Sequence, residues 1–110
     1  MTSSCSRRPA PNGNVMAADA PLSLADFQKH IAERYLEVDK ARGSAKTFVW
    51  FIEEVGELAT ALNGDDRANL EEEFADVVAW LCTLANIEGV DLSAALRKKY
   101  LSDNGPQGTK

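Results

Sequence analysis

Apolar residues in the first half of this chain recur every three or four positions, the spacing that places them on one face of an α-helix. The pattern predicts a first helix from its N-cap Ser23 to about Lys40, followed by a break at Gly43 and Ser44. Its apolar positions are Leu24, Phe27, Ile31, Tyr35 and Val38.

A second helix is predicted from about Lys46 to Asn63, with Gly64 ending it in the left-handed conformation. Its main apolar stripe consists of Phe48, Phe51, Ile52, Val55, Leu58, Ala59 and Leu62. At roughly 100° per residue, Glu54 projects about 90° from the centre of this stripe and Glu57 about 150°.

A third helix is predicted over about residues 67–88, capped by Asp65 or Asp66 and ended by Gly89. Its apolar stripe consists of Leu70, Phe74, Val77, Leu81, Leu84 and Ala85. The short connection to the second helix predicts that the two helices form an antiparallel hairpin.

A fourth helix is predicted after a cap at Asp91 or Ser93. Its apolar positions are Leu92, Leu96 and Tyr100. Strand patterns are absent, so the predicted fold is an all-α four-helix bundle. Residues 1–20, rich in Ser, Pro, Asn, Gly and Ala, are predicted to be a disordered extension, residues 21–104 a helical domain and residues 105–110 a flexible tail.

The composition narrows the class of protein. The chain has 110 residues and a net charge of −5, and one base, Arg67, accompanies eleven acidic residues between positions 47 and 96. A domain this small buries a modest core, so we expect an oligomer. The acidic charge argues against a nucleic acid polymer as partner, and no apolar run has the length of a membrane span. Cys5 and Cys82 have neither zinc nor disulfide spacing, which favours a reducing cytoplasm.

Two acidic motifs lie within the apolar helices, Glu53-Glu54-x-x-Glu57 and Glu73-x-x-Asp76. No lysine or arginine lies three or four residues from any of these five acids. Like charges four residues apart on a helix cost roughly 0.2–0.5 kcal/mol per pair, and a hard divalent cation bound by the carboxylates relieves that repulsion.

Both motifs place two acids one helical turn apart. In an antiparallel hairpin the pairs Glu54–Glu57 and Glu73–Asp76 can face each other, and four carboxylates so placed form an oxygen cage suited to Mg²⁺. Such an ion can clamp a polyphosphate and activate a water molecule. Glu53 beside this cage can bind a second ion or act as a general base.

Other interpretations of these residues stay open. The acids can form a solvated helix face, although helix-dipole stabilisation explains acids in a first turn and not those in mid-helix. A di-iron centre needs Glu-x-x-His on two helices, whereas His30, the single histidine, has Phe27 three residues before it and is expected at a surface or interface. Trp50 and Trp80 either pack against another helix or subunit or form a base-stacking wall near the carboxylates.

The segments TFVWFIEEVGELATAL, from Thr47 to Leu62, and NLEEEFADVVAWL, from Asn69 to Leu81, resemble the MazG-type nucleotide pyrophosphohydrolases. The signature of that family is EExxE, a spacer and ExxD, and the resemblance covers about residues 40–104.

The resemblance implies an oligomeric all-α fold of the dUTPase-2/MazG superfamily that cleaves nucleoside triphosphates between the α- and β-phosphates. It implies that Glu54, Glu57, Glu73 and Asp76 bind Mg²⁺, for which Mn²⁺ can substitute, and that Glu53 is a second-metal ligand or base. It also implies dimers or tetramers with sites near subunit interfaces.

The resemblance is offset near the C-terminus. Many relatives have Lys, three residues and then Asn, whereas here Asn104 lies five residues after Lys99. Lys99 and Asn104 are the predicted phosphate or sugar contacts, and Lys98 can take the place of Lys99. Lys46 and Arg42 are further cations that can offset the triphosphate charge, and Trp50 is the predicted base-stacking residue.

Two rival functions remain beside a (d)NTP pyrophosphohydrolase that removes unwanted nucleotides. A phosphoribosyl-ATP pyrophosphohydrolase shares the helical fold and the acidic pattern. A non-catalytic helical oligomerisation module would keep the acids as a solvated stripe and would release no pyrophosphate from any nucleotide.

Overall fold

The computed structural model of the protein describes residues 19–102, which form four helices and no strand. The helices are α1 (Leu24–Arg42), α2 (Ser44–Leu62), α3 (Arg67–Glu88) and α4 (Leu92–Tyr100). The predicted all-α four-helix fold is confirmed. Most of the predicted N-terminal extension, the whole predicted tail and Asn104 lie outside the described residues.

Side-chain caps begin three of the helices. The side-chain oxygens of Ser23, Asp66 and Asp91 each accept a hydrogen bond from the backbone N–H three residues on, at distances of 3.0, 3.1 and 3.0 Å. Each bond satisfies a backbone donor that has no partner within its helix. The caps therefore fall at positions that the sequence predicts.

Gly43 alone separates α1 from α2. Its φ of 88° is a backbone conformation that favours glycine, and the helices continue to Arg42 on one side and from Ser44 on the other. The predicted gap between Lys40 and Lys46 was therefore wrong by two residues at each end, because one glycine is sufficient to turn the chain.

The prediction that Gly64 adopts the left-handed conformation is wrong. Within residues 19–102, the glycines with positive φ are Gly43 and Gly89, and Gly89, at 72°, ends α3. The end of α2 is closed instead by the side-chain amide of Asn63, which donates to the backbone oxygen of Ala59 at 2.9 Å.

Helices α2 and α3 pack as an antiparallel hairpin. Trp50 of α2 contacts Trp80 of α3. Ser44, which precedes Trp50 on α2, donates a hydrogen bond to Glu88, which follows Trp80 on α3. Helix α1 packs mainly on α3, and α4 packs on α1. The α2–α3 contact therefore places the two acidic motifs side by side.

The apolar stripe of α2 points away from the other helices. Phe48 and Ile52 are 51% and 48% exposed, whereas Thr47 and Glu54 are fully buried. Phe74 and Leu81 on the adjacent helix α3 are also exposed. Helices α2 and α3 instead contact each other through faces that carry polar groups, among them the buried Thr47, Glu54 and Glu73.

No single helix within residues 19–102 has the length and apolar character needed to cross a membrane. Helices α3 and α4 meet those two criteria as a pair, and they are bent by 96° where they join.

Candidate functional site

Three carboxylates converge between α2 and α3. One oxygen from each of Glu54, Glu57 and Glu73 lies within 4.8 Å of the others. Glu54 and Glu73 are fully buried and Glu57 is half-buried. The i,i+3 spacing on α2 and the antiparallel packing of α3 place these side chains on facing surfaces.

Asp76 and Glu53 differ in their relation to this cluster. Asp76 is buried one turn after Glu73, and its charge acts on the Glu73 carboxyl group, although it is not one of the three whose oxygens converge. Glu53 is exposed on α2 and also lies outside that group. The structure thus brings together three of the four predicted metal ligands and places the fourth beside them.

The electrostatics of the cluster disfavour its ionised form. Burial raises the pKa of Glu73 above its ordinary value of 4.5, and the charges of Glu57, Asp76 and Glu72 raise it further. Removing a carboxylate from water is costly unless a partner compensates its charge.

The donor set fits a hard divalent cation. Three buried oxygens, Oε1 of Glu57 and both carboxylate oxygens of Glu73, have no hydrogen-bond partner among residues 19–102. Buried polar atoms are normally satisfied, so such oxygens indicate a missing partner. Carboxylate oxygens without nitrogen or sulfur donors are the ligands that Mg²⁺ and Mn²⁺ prefer.

An aromatic and cationic cluster adjoins the acids. Trp50, one turn before Glu54, and Trp80, one turn after Asp76, form an edge-on pair with ring centroids 5.6 Å apart at 84°. The guanidinium carbon of Arg42 lies 4.7 Å from the Trp50 ring centroid and 5.3 Å from that of Trp80.

The predicted contacts Trp50 and Lys46 come together at the start of α2. The ammonium nitrogen of exposed Lys46 lies 5.6 Å from the Trp50 ring centroid. The amphipathic pattern did not place Trp80 in the core, but Trp80 is fully buried against this cluster.

The residue that sequence analysis missed is Asp39. Its carboxylate is 1% exposed and accepts a hydrogen bond from Nη2 of Arg42 at 2.6 Å. In the sequence, Asp39 stands next to Lys40 and three residues before Arg42, so it resembles one partner of an ordinary surface ion pair. Its position in the sequence could have indicated its burial, because Asp39 continues the i,i+4 row of Ile31 and Tyr35 on the buried face of α1.

The basic residues of α4 are not brought to the acids within one chain. Lys98 and Lys99 are exposed, and the ammonium nitrogen of Lys99 lies 5.4 Å from the ring centroid of its neighbour Tyr100. Helix α4 packs against α1. The predicted contact Asn104 lies beyond the described residues.

His30 occupies a separate part of α1. Its ring stacks on Phe27 with centroids 6.2 Å apart, and its Nδ1 lies 3.0 Å from Nη1 of Arg34. Burial and the Arg34 charge lower its pKa, and Glu33 partly opposes them. This half-buried position agrees with the predicted surface or interface location.

Comparison with known proteins adds two findings. Residues 42–100 match the model of the MazG nucleotide pyrophosphohydrolase domain. A dATP/dGTP diphosphohydrolase from Cyanophage S-2L is 34% identical over 79 residues, which cover 72% of this chain and 71% of the relative. The family match includes the whole of α2 and α3.

Proposed function

Since this chain belongs to the MazG nucleotide pyrophosphohydrolase family, we propose that it cleaves (d)NTPs to (d)NMPs and pyrophosphate with the help of Mg²⁺. That the protein is a nucleotide pyrophosphohydrolase follows from the family and from the cyanophage relative. The observation that carries the finer proposal is the convergence of Glu54, Glu57 and Glu73, together with the buried oxygens of Glu57 and Glu73 that have no hydrogen-bond partner among residues 19–102.

The residues that would take part lie in two adjoining clusters, the acids of α2 and α3 and the residues at the start of α2. Glu54, Glu57, Glu73 and Asp76 would hold Mg²⁺, or Mn²⁺ in its place, and the bound ion would polarise the phosphates. Lys46 and Trp50, at the start of the same helix, would contact phosphate and base. Glu53 remains a predicted base or second-ion ligand, and its surface position leaves it open to water.

We propose purine deoxynucleoside triphosphates as substrates, because the cyanophage relative is named for dATP and dGTP. The cytoplasmic nucleotide pool is then the place of action, and removal of unwanted nucleotides is the proposed role. Phosphoribosyl-ATP is the competing substrate, so a comparison of pyrophosphate release from dATP, dGTP, dCTP, dUTP and phosphoribosyl-ATP identifies the reaction.

We further propose that a second copy of the chain covers the apolar face of α2 and α3. Phe48 and Ile52 on α2 and Phe74 on the adjacent helix α3 are each about half exposed. Exposed apolar patches of this kind mark interaction sites. Within one chain, Lys99 lies on α4, which packs against α1. A second copy would also bring cations to the site.

The substitutions Glu54→Gln and Asp76→Asn test the proposed metal centre. Each removes one charge and keeps the shape of the side chain, so the fold should be kept. A bound metal contributes several kcal/mol to the transition state, and tenfold in rate is about 1.4 kcal/mol, so we expect turnover to fall by about 100-fold or more. Pyrophosphate release is measured at saturating Mg²⁺.

The matched control is Glu71→Gln, which makes the same chemical change at a side chain that is 70% exposed and paired with Arg67 at 3.5 Å. It should leave turnover unchanged. Full activity in Glu54→Gln or Asp76→Asn would remove that residue from the site. Absence of pyrophosphate release from every nucleotide in the wild-type protein would favour the non-catalytic oligomerisation module.

A further inference from the structure

Arg42 is held at four contacts in the junction between α1 and α2. Its Nη2 donates to Asp39 Oδ1 at 2.6 Å, and its Nε donates to the hydroxyl of Thr47 at 2.8 Å. Its guanidinium carbon lies 4.7 Å from the ring centroid of Trp50 and 5.3 Å from that of Trp80. Its side chain is 11% exposed, so this cation is largely withdrawn from water.

A continuous series of hydrogen bonds links Asp39, Arg42, Thr47 and Gly43 in this junction. The Thr47 hydroxyl accepts from Arg42 and donates to the backbone oxygen of Gly43 at 2.7 Å. Thr47 is itself fully buried. The guanidinium position is therefore fixed from α1 by Asp39 and from α2 by Thr47, and Arg42 is not a mobile phosphate-binding cation.

Helix stability does not explain Asp39. A carboxylate in the last turn of a helix is unfavourable beside the negative end of the helix dipole. Burying an ion pair is costly, and replacing a whole buried pair with apolar residues is often neutral or stabilising. The pair therefore needs an explanation other than the stability of α1.

The location of the pair supplies that explanation. Trp50 lies one turn from Glu54 and Trp80 one turn from Asp76, so the tryptophan pair forms the wall next to the acids. Trp80 is fully buried and Trp50 is half-buried, so a rotation of either ring would change the surface that Trp50 offers beside the acids. The guanidinium contacts both rings at once and so restricts both.

We propose that Asp39, acting through Arg42, is a positioning residue that fixes the relative orientation of Trp50 and Trp80 and thereby sets the affinity of the adjoining site for its nucleotide substrate. The second half of this statement rests on the proposed function. Asp39 lies on α1 and is not one of the acids whose oxygens converge, so we expect its effect on substrate binding and not on the chemical step.

The tryptophan pair gives a direct readout, because Trp50 and Trp80 are the two tryptophans of the chain. Two indoles at 5.6 Å produce a coupled circular dichroism signal that depends on their mutual angle. A cation over an indole also affects its fluorescence. We expect Asp39→Asn and Arg42→Lys to change both spectra, because lysine keeps the charge but lacks the planar guanidinium beside the rings and the Nε–H that bonds to Thr47.

The kinetic readout is the division between KM and kcat. We expect Asp39→Asn to raise KM about tenfold with kcat changed less than about twofold, and tenfold corresponds to about 1.4 kcal/mol. Arg42→Lys should give a smaller rise in KM than Arg42→Met. The matched control is Arg67→Met, which alters an arginine that is 81% exposed and paired with Glu71, and it should change neither spectrum nor KM.

A double variant separates positioning from simple structural support. Asp39→Leu combined with Arg42→Met removes the whole ion pair, so the melting temperature should stay close to that of the wild-type protein. We expect its KM to remain raised and its tryptophan signal to remain altered. Recovery of the wild-type KM in the double variant would overturn the proposal, because the pair would then serve stability alone.

Unchanged tryptophan spectra or an unchanged KM in Asp39→Asn would also overturn it, and either result would leave the proposed function intact. A wild-type protein that releases no pyrophosphate from any nucleotide would instead refute the proposed function. The spectra would then still decide whether Asp39 fixes the two rings.

Discussion

Glu73 is a fully buried carboxyl group whose pKa is raised by burial and, next, by the charge of Glu57. A folded-state pKa above the unfolded value means that the folded protein binds the proton more tightly. The free energy of unfolding of the metal-free protein therefore falls as pH rises from about the ordinary value of 4.5 through the folded pKa of Glu73.

The substitution Glu73→Gln should raise the melting temperature of the metal-free protein at about pH 8, because it removes a buried charge that no base among residues 19–102 pairs with. The gain should shrink as the pH is lowered toward 4.5, where the wild-type carboxyl group takes up its proton. The same variant should lose most of the stabilisation that Mg²⁺ gives to the wild-type protein. Thermal unfolding with EDTA and with Mg²⁺ at several pH values measures both effects.

Glu71→Gln is the control for this experiment, since its side chain is exposed and the change should shift neither curve. A Glu73→Gln variant that is less stable than wild type at about pH 8 without metal would contradict the interpretation. In that case the carboxylate would be stabilising the metal-free fold.

At the residue scale, helical spacing and the antiparallel hairpin predicted that Glu54, Glu57, Glu73 and Asp76 converge, and the oxygens of the first three do so while Asp76 lies beside them. Helical spacing could not predict Asp39. An aspartate three residues before an arginine is usually a solvent-exposed pair, and its burial depends on how α1 lies against its neighbours.

At the element scale, periodicity and caps predicted four helices and their approximate ends. The position of the break at Gly43 needed the structure, because Ser44 and Lys46 are both acceptable in the first turn of a helix. Periodicity also identified the apolar stripe of α2 but not what lies opposite it. A stripe shows that a face is apolar, and the partner that covers that face is a property of the assembly.

The position of α4 depends on a buried amide pair that sequence analysis did not single out. The Nε2 of Gln28 donates to Asn86 Oδ1 at 3.0 Å and to the backbone oxygen of Val90 at 2.7 Å. Its Oε1 accepts from the backbone nitrogen of Leu92 at 3.0 Å. One side chain of α1 thus satisfies groups at the end of α3 and at the start of α4.

The substitution Gln28→Leu should destabilise the protein by about 1–3 kcal/mol, because it leaves these partly buried backbone and side-chain groups without partners. Urea unfolding measures the loss. Hydrogen exchange should also become faster in α4, because Gln28 ties the start of that helix to α1.

Lys29→Leu is the matched control, since this exposed neighbour makes none of those bonds, and its effect should be within about 0.5 kcal/mol. Unchanged exchange in α4 of Gln28→Leu would show that other contacts fix that helix.

At the scale of the whole molecule, polar groups are buried and large apolar groups are exposed. Glu54, Glu73 and Thr47 are fully buried, whereas Phe48 and Leu62 are more than half exposed. A single chain in water gains little from this arrangement, which becomes favourable when the apolar face is covered and the acids receive a cation.

The substitution Ile52→Glu tests the proposed self-association, because it places a charge in the middle of the exposed apolar face of α2. We expect the variant to have the mass of a single chain at concentrations where the wild-type protein is oligomeric, and to keep its helical content. Light scattering coupled to size-exclusion chromatography measures the mass.

Lys40→Glu adds a carboxylate at an exposed position of α1 and should leave the mass of the oligomer unchanged. A wild-type protein with the mass of one chain would refute self-association through this face, while the metal centre of α2 and α3 would still be open to its own test.

The connection between α2 and α3 offers a practical route for engineering. Gly64 and Asp65 are exposed there, between the bond that closes α2 at Asn63 and the cap of α3 at Asp66. Doubling the length of a flexible loop costs only about 0.6 kcal/mol. A tag or reporter peptide inserted between Gly64 and Asp65 would therefore leave both helix ends intact and keep the label away from the carboxylates.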